Sequence, residues 1–227
     1  MICLQGGAEF GAKGAGMDAE LLRLAGAGPV VVTALAGAEG REYDTANRNG
    51  VRHFGGLGAV DVVAAPDARQ DEAAAYECAR VAALLVLPGG SPSRLLAALT
   101  STRMGLAVRE VLDRGGLVMG ASAGAMVLCE HTWLPDRDGQ VVPGLGLVPG
   151  CLVLPHWEDG RGGRAEEMAQ RLPGDAVVLG LPEQSGVLVS GPDVTAMGHR
   201  AVALLGRERR VLAPGTTGTL AEHPPSA

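Results

Sequence analysis

The chain has 227 residues, of which 47% are apolar and 19% charged, and its formal net charge is -6 at pH 7. This length and apolar content predict a single folded domain with its own core. The acidic balance argues against nucleic-acid binding through a positive surface. The sequence has neither a run of about 18 apolar residues nor a basic, apolar leader, so no membrane association is predicted and a cytoplasmic protein is expected.

Strands and helices alternate regularly over the first 128 residues. The predicted strands of this part are 2–4, 30–35, 60–64, 84–87 and 117–119. The predicted helices are 17–24, 39–49, 71–81, 93–99, 105–114 and 125–128. This alternation predicts an α/β fold built on a doubly wound, mostly parallel sheet with helices on both faces.

The remainder of the chain has a different pattern. It is predicted to contain a loop at 135–150, a strand at 151–154, a helix at 164–171 and a strand at 177–181. Short strands at 186–190, 194–197, 202–205 and 210–212 follow, and they are expected to pair antiparallel at an edge because the turns between them are short. One domain is therefore predicted over 1–212, followed by a disordered C-terminal tail over 213–227.

Four cysteines are scattered along the chain without a Cys-x-x-Cys pair or a histidine at metal-ligand spacing. They are Cys3, Cys78, Cys129 and Cys151. We expect reduced thiols packed in a core, and neither a metal nor a cofactor is predicted.

The clearest chemical signal is a serine between glycines, Gly120-Ala121-Ser122-Ala123-Gly124, at the junction of a predicted strand and a predicted helix. Flanking glycines let two backbone segments pass closely and let the turn adopt a strained conformation that exposes the serine hydroxyl. This nucleophile-elbow pattern indicates a hydrolase in which Ser122 attacks a carbonyl group.

A serine nucleophile needs a base and a group that orients the base. Among the five histidines, His156 is favoured because it ends an apolar strand downstream of the elbow. Two acids remain open as its partner: Glu158 lies two residues further on, and Glu183 follows the predicted strand 177–181.

The tetrahedral intermediate of such a reaction also needs two backbone N–H donors. Ala123 is one candidate, because it begins the elbow helix. Gly90 is the other, because Pro88-Gly89-Gly90 follows the neighbouring strand and glycine permits a close backbone approach. The Gly6-Gly7 turn also follows a strand end, so we expect all three glycine-bearing turns to meet at one site.

These motifs together resemble peptidase family S51, which includes aspartyl dipeptidase and cyanophycinase. The similarity extends from Gly6 to about Ser190 and includes the elbow, the Gly89-Gly90 turn, Pro155-His156 and Leu181-Pro182-Glu183. The wider fold is similar to class I glutamine amidotransferases and is flavodoxin-like. The resemblance implies a nucleophile at Ser122, a base at His156 and an orienting acid at Glu183, with oxyanion donors at Gly90 and Ala123.

The same resemblance implies a serine peptidase that hydrolyses aspartyl dipeptides of the α-Asp-X or β-Asp-Arg type. An aspartyl side chain needs a cation, and the candidates are Arg94, Arg161 and Arg164. Family members commonly carry asparagine after the paired glycines, whereas this chain has Ser91, which is a further candidate for substrate binding.

The alternatives are an esterase or amidase acting on a non-peptide substrate and a non-catalytic binding protein that retains the fold. Small peptides are the expected binding partners, whereas binding to nucleic acid or to membranes is not expected. The resemblance also allows a homodimer.

Overall fold

The computed structural model of the protein describes residues 1–158, 167–168, 171–173, 176–206 and 209–220. The helices of the described residues include α1 (Ala15–Ala25), α2 (Arg41–Gly56), α3 (Glu72–Ala79), α4 (Pro92–Ser101), α5 (Met104–Asp113) and α6 (Ala123–Leu128). The first strands are β1 (Ile2–Gln5), β2 (Val30–Val32), β3 (Val62–Ala64), β4 (Leu84–Leu87), β5 (Leu117–Ala121), β6 (Cys129–Leu134) and β7 (Gln140–Pro143). The remaining strands are β8 (Val148–Pro155), β9 (Val177–Leu181), β10 (Ser185–Ser190), β11 (Asp193–Gly198), β12 (Val202–Leu205), β13 (Arg209–Leu212) and β14 (Thr217–Thr219).

The larger sheet has the order β14-β11-β10-β1-β5-β4-β2-β3 within the described residues. All pairs from β1 to β3 are parallel, and β10, β11 and β14 extend the sheet antiparallel beside β1. The predicted α/β fold with a mostly parallel sheet is confirmed. Because β1, β5 and β4 are neighbours, the turns that follow their carboxyl ends meet at one edge of the sheet.

Alternate side chains of the central strands point into two cores, as the two-residue period of a strand requires. Leu85 and Leu87 of β4 are buried with side chains of α3, α4 and α5, whereas Leu84 and Val86 are buried with Phe54 of α2. Helices therefore cover both faces of the parallel sheet.

A second sheet, of order β13-β12-β9-β8-β6-β7 within the described residues, was not predicted. Its strands β6, β8 and β9 are parallel to one another. Val153 and Leu179 on its inner face share a core with the first sheet, while Leu152 and Val178 on its outer face pack with Trp157 in a separate cluster. Both faces are apolar, so periodicity does not reveal to which sheet these strands belong.

The structure corrects two further predictions. The loop predicted over 135–150 contains β7 and the start of β8. The closely spaced C-terminal strands do pair antiparallel, but β10 and β11 join the larger sheet while β12 and β13 join the second. The predicted helix at 164–171 lies mostly outside the described residues.

The larger sheet extends beyond residue 212, where the sequence placed the end of the domain. Strand β14 pairs with β11 through Thr217–Thr219, so this part of the predicted tail belongs to the sheet, and residues 221–227 lie outside the described ranges.

All four cysteines are free thiols, three of them buried and Cys78 half-buried, as predicted. Burial raises the pKa of the Cys3 and Cys78 thiols above the ordinary value. Within the described part of the chain, no group of three His, Cys, Asp or Glu could hold a metal ion. Among the same residues, no helix has the length and hydropathy that crossing a bilayer requires.

Candidate active site

Ser122 lies at the sharp turn between β5 and α6, with a strained backbone at φ 48° and ψ -108°. Close backbone packing explains the glycines on either side. A Cβ atom at Gly120 would lie 2.4 Å from the carbonyl carbon of Gly124, and one at Gly124 would lie 2.2 Å from the carbonyl oxygen of Leu87. Local sterics therefore require glycine at both positions, and the half-buried Ser122 is presented at the sheet edge.

His156 follows β8 directly and also has a positive φ, of 52°. Its backbone N–H donates to the carbonyl of Gly6 at 2.8 Å, which holds it beside the end of β1. The Nε2 atom of its ring is 3.0 Å from Oγ of Ser122. A Cβ atom at Gly7 would lie 2.4 Å from Cε1 of His156, so glycine makes room for the imidazole.

Glu183 provides the carboxylate that His156 contacts, with Oε1 2.9 Å from Nδ1. It lies in the turn from β9 to β10, where Gln184 donates its N–H to the carbonyl of Gly7 at 2.9 Å. Because an ionised carboxylate only accepts, Nδ1 carries the proton and Nε2 is left to accept from the Ser122 hydroxyl. The sequence left two acids open as the partner of His156: Glu158, two residues beyond the histidine, and Glu183. Glu183 contacts Nδ1 of His156 and therefore has the geometry of an orienting acid.

Gly90 and Ala123 are the predicted oxyanion donors. Gly90 has φ of 141°, and a Cβ atom there would lie 2.7 Å from the carbonyl oxygen of Ala36, so only glycine fits without strain. Ala123 is the first residue of α6, where N–H groups have no acceptor within the helix.

Glu9 is a functional candidate that sequence reasoning missed. Its Oε1 accepts a hydrogen bond of 2.7 Å from the N–H of Gly89, across 80 residues of chain. A Cβ atom at Gly89 would lie 3.1 Å from Glu9 Oε1 and 3.2 Å from Ser122 Cβ, so Gly89 lies between these two side chains. Glu9 thus holds the Gly89-Gly90 turn against the elbow. The available signal was Glu9 itself, a lone acid in the glycine-rich turn after β1.

Removal of the Glu9 carboxylate, which supports the Gly89-Gly90 turn, is expected to lower kcat more than it changes KM. Loss of one oxyanion donor costs about 10²- to 10³-fold in kcat, and Glu9 acts only through the turn, so we expect a loss of about tenfold for Glu9→Ala. Glu9→Gln is the matched control, because its amide oxygen can still accept from Gly89. Steady-state kinetics of both variants test this, and an equal loss for both would contradict the positioning role.

Ser91, predicted to bind substrate, is engaged with protein groups. Its Oγ accepts from the N–H of Arg94 at 3.1 Å, capping α4, and donates to the carboxylate of Asp136. Ser93 donates to the same carboxylate oxygen at 2.7 Å. Partial burial raises the pKa of Asp136, but the two hydroxyls that donate to it outweigh this effect, and the pKa is lower than usual. Asp136 is therefore ionised at neutral pH beside Ser91 and Ser93.

Arg94, one of the three predicted cations, donates to the carbonyl of Ala36 at 2.8 Å and lies 3.7 Å from Glu42. Its guanidinium thus binds the segment that also packs against Gly90. The other two candidates, Arg161 and Arg164, lie outside the described residues.

A cavity of about 280 Å³ opens beside Ser122 and His156. The described residues that line it come mainly from α6, β6 and β8 and the segments that follow them. They are Gly90, Pro92, Ser122, Met126, Trp133, Pro135, Leu154, Pro155, His156 and Trp157. Ser122 therefore lines a small, partly open cavity.

A serine at a strand-to-helix turn, within hydrogen-bond distance of a histidine that contacts a carboxylate, is the arrangement of serine hydrolases. More specifically, the chain belongs to peptidase family S51, whose family model matches residues 36–197. The protein is accordingly a hydrolase of the serine peptidase class.

Several solved structures share the fold, among them the following two. A peptidase from an acI-B1 actinobacterium has a TM-score of 0.81 and 24% sequence identity, with 96% of each chain covered. A putative peptidase E from Listeria monocytogenes EGD-e has a TM-score of 0.57 and 16% identity, and the match covers 91% of this chain and 98% of that one. No curated protein matches the sequence.

Proposed function

We propose that this protein hydrolyses short peptides through an acyl-enzyme formed on Ser122. The observation that carries the proposal is the continuous chain of contacts from Ser122 Oγ to His156 Nε2 at 3.0 Å and from His156 Nδ1 to Glu183 Oε1 at 2.9 Å. Family membership supports the reaction class, and the contacts support the assignment of a role to each residue.

Each role follows from the position of a particular atom. His156 Nε2 accepts the proton of Ser122 as the hydroxyl oxygen attacks the scissile carbonyl, and the same proton is then donated to the leaving amine. Glu183 holds the imidazole in the tautomer that this transfer requires. The N–H groups of Gly90 and Ala123 stabilise the oxyanion, and His156 then activates the water that hydrolyses the acyl-enzyme.

A preference for short peptides is supported by the size of the site. The cavity of about 280 Å³ is slightly smaller than the usual range for ligand sites, which is about 300–1,000 Å³. Aspartyl dipeptides of the α-Asp-X or β-Asp-Arg type, which the family resemblance implies, remain the first substrates to test. Their recognition would depend on Arg94, Arg161 or Arg164, and this stays a prediction.

A dipeptide library together with a serine-directed fluorophosphonate tests the proposed function. We expect turnover of free dipeptides, loss of turnover after labelling, and a mass increase on the peptide that contains Ser122. Failure of the phosphonate to label Ser122, with no dipeptide hydrolysed, would contradict the proposal.

An esterase or amidase acting on non-peptide substrates is the second candidate, and the apolar walls of the cavity are compatible with it. Acyl esters assayed beside the dipeptides separate the two functions. A higher kcat/KM for dipeptides than for every ester would exclude this candidate.

A further inference from the structure

The cavity beside Ser122 has apolar walls. Apart from Ser122 and His156, every described residue that lines it is glycine, proline or a large apolar residue, and none is lysine or arginine. A carboxylate placed there would lose its hydration without gaining a cation from these residues, which is unfavourable. An apolar side chain would instead exchange water for apolar contacts, which is favourable.

The walls belong to the same elements that hold the reacting groups. Met126 lies one helical turn after Ser122 on α6, and Leu154 and Trp157 flank the Pro155-His156 strand end; all three are at most 4% exposed. A Cβ atom at Gly180 of β9 would lie 2.6 Å from the indole of Trp157, so glycine makes room for this ring. These apolar side chains are therefore packed in place, and they line the same cavity as Ser122.

Three carboxylates of the described residues lie near residues that line the cavity or next to them in the chain. Asp136, ionised and bonded to Ser91 and Ser93, directly follows Pro135 in the wall. Glu9 lies against Gly89, and Glu183 lies behind His156. A substrate carboxylate near these groups would be repelled.

We infer that the cavity binds an apolar side chain, aromatic or branched, of a residue adjacent to the scissile bond, and that the protein prefers such peptides to aspartyl peptides. This inference rests on the proposed function and narrows its substrate class. A space of about 280 Å³ is suited to one side chain. Burying one large apolar side chain corresponds to a preference of about 10- to 100-fold.

The chain contains two tryptophans, and both Trp133 and Trp157 line this cavity. Intrinsic tryptophan fluorescence therefore reports its occupancy without any need for turnover. We would titrate the Ser122→Ala protein with Phe-Ala, Ala-Phe, Asp-Ala and Ala-Asp. The expected result is that one phenylalanyl dipeptide binds at least about tenfold more tightly than either aspartyl dipeptide. Equal or tighter binding of an aspartyl dipeptide would overturn the inference.

The half-buried Trp133 is the residue to change, since Trp133→Arg would place a cation in the wall. We expect this variant to lose the phenylalanyl preference and to gain affinity for an aspartyl dipeptide. Val211→Arg is the matched control, because it adds the same charge at an exposed position of the second sheet. If folded Trp133→Arg still prefers phenylalanyl to aspartyl dipeptides, the assignment of the cavity to an apolar side chain would be overturned. If that variant does not fold, the titration of Ser122→Ala alone decides whether the inference holds.

Hydrolysis assays on the wild-type protein separate this inference from the proposed function. Turnover of aspartyl dipeptides in preference to phenylalanyl ones would overturn the inference and leave the serine peptidase assignment intact. Tight binding of a phenylalanyl dipeptide without hydrolysis of any peptide would support the cavity's selectivity and contradict the proposed reaction.

Discussion

Replacement of Ser122 by alanine is expected to lower kcat/KM for dipeptide hydrolysis by about 10⁴-fold or more, the size of loss that follows removal of a nucleophile from a serine peptidase. The reason is geometric: Ser122 Oγ is the hydroxyl that lies 3.0 Å from His156 Nε2, and both residues line the cavity. Steady-state kinetics on purified protein measure the loss.

Three controls make this result specific. The melting temperature of Ser122→Ala should stay close to that of the wild-type protein, because alanine is no larger than serine at the elbow. Addition of His156→Ala to Ser122→Ala should cost little more, since groups that act as a unit are not additive. Ser190→Ala, at an exposed end of β10, should retain full activity. A Ser122→Ala protein with activity within about tenfold of the wild type would refute the assignment.

Glu183→Gln is expected to lower kcat by about 10³-fold with a smaller change in KM. The glutamine amide can donate to Nδ1 of His156, which would place the proton on Nε2 and leave Ser122 without an acceptor. The His156 and Glu183 side chains are 45% and 55% exposed, so water screens part of their charge interaction. We therefore expect selection of the wrong tautomer to account for most of the loss.

Glu158→Gln is the matched control for this substitution. It changes the same chemical group at the other acid that follows His156, and we expect kcat to change by less than about threefold, as for a residue outside the reacting groups. Should Glu158→Gln lose activity while Glu183→Gln retains it, the orienting acid would have to be reassigned.

The elbow could be predicted from five residues because the forces that shape it are local. Gly120 and Gly124 are close enough for their backbones to touch, and this requirement is visible as a short sequence pattern. Prediction of the positions of His156 and Glu183 required one additional rule, that side chains at the carboxyl ends of parallel strands lie together at one edge of the sheet. That rule led to the correct edge even though β8 and β9 belong to a second sheet.

Other parts of the site depend on contacts that no local pattern records. The hydrogen bond from Gly89 to Glu9 joins residues 80 positions apart. Ser91, which the sequence offered as a substrate ligand, donates to Asp136, 45 residues further along the chain. The indole of Trp157 packs against Gly180 of β9, a contact that the sequence alone does not show.

By itself, the sequence determined the parallel α/β sheet and the serine elbow, because strand and helix periodicity and glycine sterics act within a few residues. It also identified a histidine and two acids that end or follow strands. The tertiary structure alone decided that Glu183 contacts His156, that Glu9 supports the Gly89-Gly90 turn, and that the wall beside Ser122 is apolar. These features arise where strands distant in sequence pack together, and packing of that kind depends on the whole fold.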